Sequence, residues 1–269
     1  MQLSDQDFYR LRDYMYDTFG INLAQKRVLI ESRLSMLVTQ KGFRDFAEYI
    51  EHIMKDPSGK EISILVSKLT TNFTYFMREE QHFEFLRKTA LPEMMPRIRD
   101  NNLAIWSAGC SSGEEPYTIA MVLDDYFHGG SLGLNKKLLA TDISANVLNA
   151  AAEGVYSLDR MNKLPEQWIK KYFIKVKENA YQISPQIKDE VIFKSFNLME
   201  TNFAFRRKFH VIFCRNVMIY FDAKTREALA GRFYDALENG GYLLIGMSET
   251  LLNSKTSFKY VSPSIYKKV

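Results

Sequence analysis

Along the first seventy residues, apolar positions recur at helical spacing in several short segments. Phe8, Leu11 and Met15 form one stripe, and Leu34, Leu37 and Val38 form part of another. After Asp56-Pro57-Ser58-Gly59 a further helix is predicted, with Ile62, Leu65, Val66 and Leu69 on one face. Helices this short are not stable alone in water, so they are expected to bundle. From about residue 103 the pattern changes to apolar, strand-like runs alternating with amphipathic helices. Leu103-Ala-Ile-Trp-Ser107 reads as a strand, residues 114–127 as a helix, Leu138-Leu-Ala-Thr141 as a strand and 144–152 as a helix. Val191-Ile-Phe193, Phe209-His-Val-Ile-Phe-Cys214, a helix at 223–238, a break at Asn239-Gly240-Gly241, Tyr242-Leu-Leu-Ile245 and a last strand-like stretch from Phe258 to Tyr266 follow.

Strands that are apolar throughout, separated by helices, predict an α/β domain whose mostly parallel sheet is covered on both faces. Residues 160–190 interrupt the alternation. They are polar, contain Pro165 and Pro185, and hold two short runs, Tyr172-Phe-Ile-Lys-Val176 and Ala180-Tyr-Gln-Ile183, that suggest a small antiparallel insertion. The predicted division is therefore a helical module at 1–70 and an α/β domain at 71–269 carrying that insertion.

Composition narrows the class. At 269 residues, 46% hydrophobic and 25% charged, the chain has the balance of an ordinary globular protein. No apolar run approaches the roughly 20 residues needed to cross a bilayer, and the start MQLSDQDFYR is acidic, unlike a signal peptide. A soluble, cytoplasmic protein is expected. Cys110 and Cys214 form no CxxC pair, and His52, His82, His128 and His210 show no HxxH or HExxH spacing, so neither a disulfide framework nor a zinc site is expected. The net charge of +4 hides a local feature: Lys26, Arg27, Arg33, Lys41 and Arg44 stand against Glu31 alone between residues 24 and 44. A basic patch in an otherwise neutral module points to an acidic partner.

The stretch with the most chemistry is Ser107-Ala-Gly-Cys-Ser-Ser-Gly-Glu-Glu-Pro116, a strand running into a glycine-containing turn and a helix start. Small residues there let backbone approach a ligand and aim helix N-terminal N–H groups at it. Gly109 and Gly113 do not form GxGxxG, and no lysine follows to make a P-loop. Glu114 and Glu115 disfavour a pyrophosphate at this turn and suit an ammonium or sulfonium group. Asp142, at the end of the second strand, is placed to accept hydrogen bonds from both ribose hydroxyls of a nucleoside; it could equally cap the helix near Ser144.

Four motifs together resemble the chemotaxis receptor methyltransferases of the CheR family: Leu69-Thr-Thr-Asn-Phe-Thr-Tyr-Phe-Met-Arg-Glu79, Trp106-Ser-Ala-Gly-Cys-Ser-Ser-Gly-Glu-Glu-Pro-Tyr117, Ala140-Thr-Asp-Ile143 and Phe213-Cys-Arg-Asn-Val-Met-Ile-Tyr-Phe-Asp222. The resemblance implies a Rossmann-like methyltransferase domain that uses S-adenosylmethionine to esterify receptor glutamates, with S-adenosylhomocysteine as product. It also implies roles. Asn72, Thr74 and Arg78 would close over the cofactor, with Arg78 and Glu114 near its methionyl part. Asp142 would hold the ribose, Asn197 and Leu198 frame the adenine, Asn216 and Val217 line the floor, and Tyr220 stand near the reactive methyl. No metal is implied.

The basic patch then acquires a partner. Lys26 and Arg33 are nearly superposed on one helix face with Arg27 about 100° away, and a basic helix over the cleft would steer a glutamate-rich receptor helix. Some family members clamp a receptor's C-terminal pentapeptide through a glycine-rich loop in the insertion. Here Lys175-Val-Lys-Glu-Asn-Ala180 has no glycine, so no tether is expected. Competing readings are a non-catalytic cofactor-binding scaffold or sensor of the same family, a nicotinamide dehydrogenase, for which the turn is wrong, and RNA binding, for which residues 26–44 lack interleaved aromatics.

Overall fold

The computed structural model describes residues 1–56, 59–128, 133–251 and 256–269; Pro57 and Ser58 of the expected break lie outside them. Four helices open the chain: α1 (Asp5–Phe19), α2 (Arg27–Gln40), α3 (Phe46–Lys55) and α4 (Lys60–Leu69). Local chemistry sets their ends. Ser4 Oγ accepts the Asp7 N–H at 3.1 Å to start α1, and Gly20, at φ 69°, ends it by donating to the Tyr16 carbonyl. Asp45 caps α3 through the Glu48 N–H at 2.9 Å. The predicted stripes of α1, α2 and α4 all face one core, which continues into Trp106, Ile212, Phe233 and Leu243. The bundle and one face of the sheet are thus a single hydrophobic unit.

Residues 81–94, for which the pattern predicts nothing, are helical: α5 (Gln81–Phe85), a π turn at Leu86–Ala90 and α6 (Leu91–Met94). The π turn widens the spacing of apolar positions and so breaks the 3.6-residue period that would reveal a helix. Phe83, Leu86 and Leu91 pack on the opposite face of the sheet.

The α/β domain continues with β1 (Ile105–Ala108), α7 (Glu114–Tyr126), β2 (Leu138–Asp142) and α8 (Ala145–Glu153). The insertion holds β3 (Val155–Tyr156), α9 (Glu166–Tyr172), β4 (Phe173–Lys177), β5 (Ala180–Ile183) and α10 (Pro185–Lys188); then come β6 (Val191–Ser195), β7 (Phe209–Cys214), α11 (Ala223–Ala236), β8 (Leu237–Ile245), β9 (Lys259–Ser262) and β10 (Ile265–Lys267). The main sheet has the order β6-β2-β1-β7-β8-β10-β9. Its first five strands are parallel, and β10 runs antiparallel to both β8 and β9. Successive residues of β7 and β8 alternate between the two cores, Ile212 and Leu243 on one face, Phe213 and Leu244 on the other. That is why these strands are apolar throughout.

Trp106 anchors the first face. It is fully buried, donates from Nε1 to Thr141 Oγ1 at 2.9 Å, and is ringed by Phe196, Phe203, Phe205, Phe209 and Phe233. Two expectations change. The break expected at Asn239-Gly240-Gly241 lies inside β8, where a register shift opposite Phe209 and Val211 absorbs it and Gly240 takes φ 80°. The last strand-like stretch is the hairpin β9–β10, turned at Ser264 with φ 64°. The insertion is antiparallel as expected, in the order β3-β5-β4. Asp124 on α7 holds it by bonds to Lys171, Tyr172 and Gln186. Among the described residues no helix is long and apolar enough to cross a membrane.

Candidate active site

The turn after β1 is built from left-handed residues: Gly109 at φ 86°, Ser111 at 49° and Gly113, the cap of α7, at 96°. At Gly109 only glycine serves, since an added Cβ would stand 2.3 Å from Val217 Cγ2. This path carries the Ser111 N–H to Asp142 Oδ2 at 2.9 Å, while Asp142 Oδ1 accepts the Ser144 N–H at 3.0 Å. Asp142 therefore ties the β1–α7 turn to the β2–α8 turn across the ends of two adjacent strands. It does not cap α8, whose cap is Ser144. A carboxylate accepts about four hydrogen bonds in all, so Asp142 keeps acceptor capacity toward the cavity. Burial raises the Asp142 pKa, against the pull of the N–H groups of Ser144, Ser111 and Ile143.

A cavity of about 380 Å³ opens at these strand ends, the crevice where ligands bind in open α/β sheets. Asn72, Thr74 and Arg78 form one wall; Asp142, Asn197 and Leu198 another; Asn216, Val217 and Tyr220 a third. The helical module adds Phe19, Ile21 and Val66. Asn197 is largely committed: Nδ2 donates to the Thr18 carbonyl at 2.8 Å and Oδ1 accepts the Met199 N–H at 3.0 Å. Tyr220 is fixed by its hydroxyl, which accepts the Thr71 N–H at 2.8 Å and donates to the Thr71 carbonyl at 3.3 Å. Arg78 Nη1 donates to the Phe73 carbonyl at 2.6 Å, leaving its other N–H groups for a ligand.

Glu114 does not line the cavity, whereas Glu115 does. The buried Glu114 carboxylate accepts from Ser112 Oγ at 2.7 Å and pairs with Arg160 Nη1 at 3.3 Å; the same nitrogen bonds the Thr74 carbonyl. Glu114 thus acts on the 72–74 wall through Arg160. Helical geometry explains the difference, because adjacent residues point about 100° apart.

The Arg215 side chain, 2% exposed, lines the cavity and links three segments there. It pairs with Glu79 at 3.1 Å and Glu115 at 2.9 Å, bonds the Arg78 carbonyl and lies over Phe83. Glu115 also accepts from Ser107 Oγ at 2.6 Å. Glu79 receives the amide of Asn216 at 3.3 Å and the Met247 N–H at 3.2 Å. Burial acts to raise the Glu79 pKa, but Arg215 and Asn216 outweigh it and hold it below the ordinary value; for Glu115 burial wins over Arg215 and Ser107. Glu249 gathers the chain after β7 by accepting the N–H groups of Asn216, Ile219 and Gly246 at 3.0, 3.0 and 2.6 Å. Met77, Glu79, Ser111 and Asn216, all non-glycine, adopt positive φ around this site. Strain of about 1–3 kcal/mol per residue persists only where surrounding bonds over-determine it.

Sequence reasoning missed Arg215, Glu79, Arg160 and Glu249 as parts of the site. Arg215 and Glu79 do stand inside two of the four motifs; for Arg160 and Glu249 no local signal exists.

The basic residues of the 24–44 stretch are partly engaged within the helical module. The Arg27 guanidinium is tied to Asp5 and the Leu3 carbonyl and lies over Phe8. Arg33 donates to the Lys68 and Thr70 carbonyls at 3.1 and 3.0 Å, capping the C-terminal end of α4. Lys41 and Arg44 pair with Glu61 and Glu48. Lys26 is exposed at the start of α2 and makes no ion pair among the described residues.

His82 lies fully buried beneath the network, its Nδ1 3.5 Å from Glu79, with neither ring nitrogen hydrogen-bonded among the described residues. Burial first and the Arg215 charge second lower its pKa to about 4. Below the ordinary value of 6.5 the unfolded chain takes a proton that the folded chain refuses. Stability is therefore lost as pH falls from 6.5 through about 4, by on the order of 3 kcal/mol. Denaturant unfolding across this window should show that loss in the wild type and a flatter profile in His82→Leu. Parallel profiles would remove His82 as the cause.

The description "CheR methyltransferase, all-alpha domain" matches residues 6–70, and "CheR methyltransferase, SAM binding domain" matches residues 72–267. The chain is 46% identical to a chemotaxis protein methyltransferase of Borreliella burgdorferi, covering 100% of this chain and 96% of that one. It is 34% identical to chemotaxis protein methyltransferase Cher2 of Pseudomonas putida, with 98% of each chain covered. It is also 34% identical to a chemotaxis protein methyltransferase of Salmonella typhimurium, covering 99% of this chain and 91% of that one.

Proposed function

The chain belongs to the CheR family of S-adenosylmethionine-dependent chemotaxis methyltransferases, and from that premise we propose that it esterifies glutamate side chains on the cytoplasmic helices of methyl-accepting chemotaxis receptors. The products are glutamate methyl esters and S-adenosylhomocysteine, and the enzyme works in the cytoplasm, where those helices lie. One observation carries the reading: the cavity wall offers a carboxylate, Asp142, with acceptor capacity left beyond its backbone partners, yet no histidine or lysine among its described residues. Such a site suits a nucleoside, and its other carboxylate, Glu115, is already engaged by Ser107 and Arg215. An acceptor glutamate, whose carboxyl ordinarily titrates near pH ~4.3, is already ionised at neutral pH and needs no general base.

When bound, S-adenosylmethionine supplies an electrophilic methyl group on a sulfonium. Asp142 would accept the ribose hydroxyls, and the backbone at Asn197 with the Leu198 side chain would flank the adenine. Arg78 would pair with the methionyl carboxylate, and Glu115, which lines the cavity where Glu114 does not, would face the methionyl ammonium. Asn72 and Thr74 would close the near wall, Asn216 and Val217 would form the floor, and Tyr220 would border the place of methyl transfer. These residues orient the acceptor and exclude water from it. Orientation alone can contribute about 7 kcal/mol or more.

Radiolabelled methyl transfer from S-adenosylmethionine to receptor signalling domains, with the product hydrolysed in mild base, tests the reading. No transfer, or a base-stable product, overturns it. Of the basic residues, Lys26 alone is assigned to receptor steering. Lys26→Glu should lower kcat/KM several-fold at low salt with an unchanged Kd for S-adenosylhomocysteine, and the loss should shrink as salt rises. Arg33→Glu should instead weaken cofactor binding, because it frees the carbonyls that lead into Asn72. The β4–β5 turn is only Glu178-Asn179, and a receptor's C-terminal pentapeptide is expected to give no heat of binding.

A further inference from the structure

The end of the sheet opposite the cofactor cavity carries a second cleft, of about 790 Å³. Because β1, β7 and β8 are parallel, their first residues gather there, about 20 Å along the strands from the Asp142 end. The stretch after α6 brings Arg97 and Arg99 to this cleft, and the residues before β7 bring Arg206, Arg207 and Lys208. Five cations thus share the lining with two carboxylates, Asp100 and Glu238. Asp100 is already engaged: it pairs with Arg207 and accepts the Asn102 N–H at 3.1 Å and the Asn102 side-chain amide at 3.2 Å. Arg97, Arg99, Arg206 and Lys208 make no ion pair among the described residues. The run 206–208 by itself would be an ordinary solvated surface. The tertiary structure sets two further arginines on the same concavity, and like charges so gathered repel until an anion joins them.

The floor is bare backbone. An added Cβ at Gly241 would stand 2.9 Å from the carbonyl oxygens of Glu238 and His210, and one at Gly240 would stand 2.5 Å from Arg97 Nη1. The two glycines therefore let the Arg97 guanidinium lie close against β8. His210 accepts the Ala104 N–H at Nδ1 at 3.0 Å, so its neutral ring keeps the proton on Nε2 and adds a donor to the lining.

We propose that this cleft binds a small anion carrying two or more linked phosphate groups, at a site separate from the cofactor cavity. A guanidinium fork takes phosphate oxygens two at a time, so linked phosphates can bridge Arg97 and Arg99 to Arg206 and Lys208. No phenylalanine, tyrosine or tryptophan lines the cleft among the described residues, and a nucleic-acid strand would find no surface on which to stack its bases. Of the lining side chains only Met94, Ile98 and Ala104 are wholly apolar, too few to receive the stripe of an amphipathic helix.

Titration calorimetry of the full chain with inorganic tripolyphosphate, under saturating S-adenosylhomocysteine, tests the site. One equivalent should bind, more weakly as salt rises. Arg99→Gln and Arg206→Gln, both at exposed positions, should each raise the Kd about tenfold, with the apo melting curve and the Kd for S-adenosylhomocysteine unchanged. Arg44→Gln and Lys55→Gln, exposed on the helical module, should leave the tripolyphosphate Kd at the wild-type value. No heat of binding, or equal losses in these two controls, overturns the cleft, since the anion then meets only diffuse positive charge. Competition with S-adenosylhomocysteine overturns it as well, by placing the anion in the cofactor cavity. Tighter binding of hexaglutamate, weakened by the same two cleft substitutions, overturns phosphate as the occupant.

Discussion

Asp142→Ala is expected to lose on the order of 100-fold or more in affinity for S-adenosylhomocysteine, and to melt several degrees lower even without ligand. The first effect follows from two hydrogen bonds to a charged acceptor, each contributing about 1.5–3 kcal/mol. The second follows from the bonds already present. The Ser111 and Ser144 N–H groups, at 2.9 and 3.0 Å from the carboxylate, lose their acceptor. Ser144 is buried, so water does not replace it freely, and the cost is about 1–3 kcal/mol. In a chain of this size that is roughly 2–4 °C per kcal/mol. Asp142→Asn keeps the volume but presents an amide to one of the two N–H groups, so it should lie between. Titration calorimetry and apo melting curves separate the two roles. Wild-type affinity removes Asp142 from the ligand site, and an unchanged apo melting curve removes it as the tie between the two turns.

Arg215→Met should produce the largest loss of stability, about 3–5 kcal/mol at pH 7, because it leaves two buried carboxylates without their cation. The deficit depends on pH with a definite sign. In the wild type, Glu79 has a lowered pKa, so its stabilisation is present above its ordinary pKa and is lost as pH falls through the depressed value. Glu115 has a raised pKa and opposes folding as pH rises through it. Without Arg215 both carboxyls prefer to be protonated, so the variant recovers as pH falls toward 5. Denaturant unfolding of both proteins at pH 7 and pH 5 should show the gap narrowing. An equal gap at both pH values would mean that packing against Phe83, rather than charge, is what Arg215 contributes. Cofactor affinity should fall as well, because Glu79 also holds Asn216 and the Met247 N–H.

These two residues mark the limit of what could be read along the chain. The place of Asp142 on the cavity wall was legible because it is local to a strand end: an apolar run, a carboxylate where it stops, a helix after it. The same holds for the Gly109–Gly113 turn, for the inward stripes of α1, α2 and α4, and for the apolar strands that require helices on both faces. The motifs carrying the family resemblance are likewise contiguous segments. Helix periodicity tells which side chains share a face, but not what lies opposite. Lys26, Arg27 and Arg33 thus read as one patch, until Arg27 met the start of α1 and Arg33 the carbonyls ending α4. The α5–α6 segment was hidden because its π turn breaks the period that pattern reading relies on.

The sequence alone determined the α/β class, the helical front module and the segments that carry about a third of the cavity wall, because backbone geometry and local periodicity act within a few residues. Tertiary structure alone decided which carboxylate of the Glu114–Glu115 pair faces the cavity, and which cations are spent on structure. It also joined Glu79, Glu115 and Arg215, separated by 136 and 100 positions from that arginine. A buried charge is stable only beside its counter-charge, and the chain brings those partners together only when the sheet, α7 and the 70–80 wall have packed.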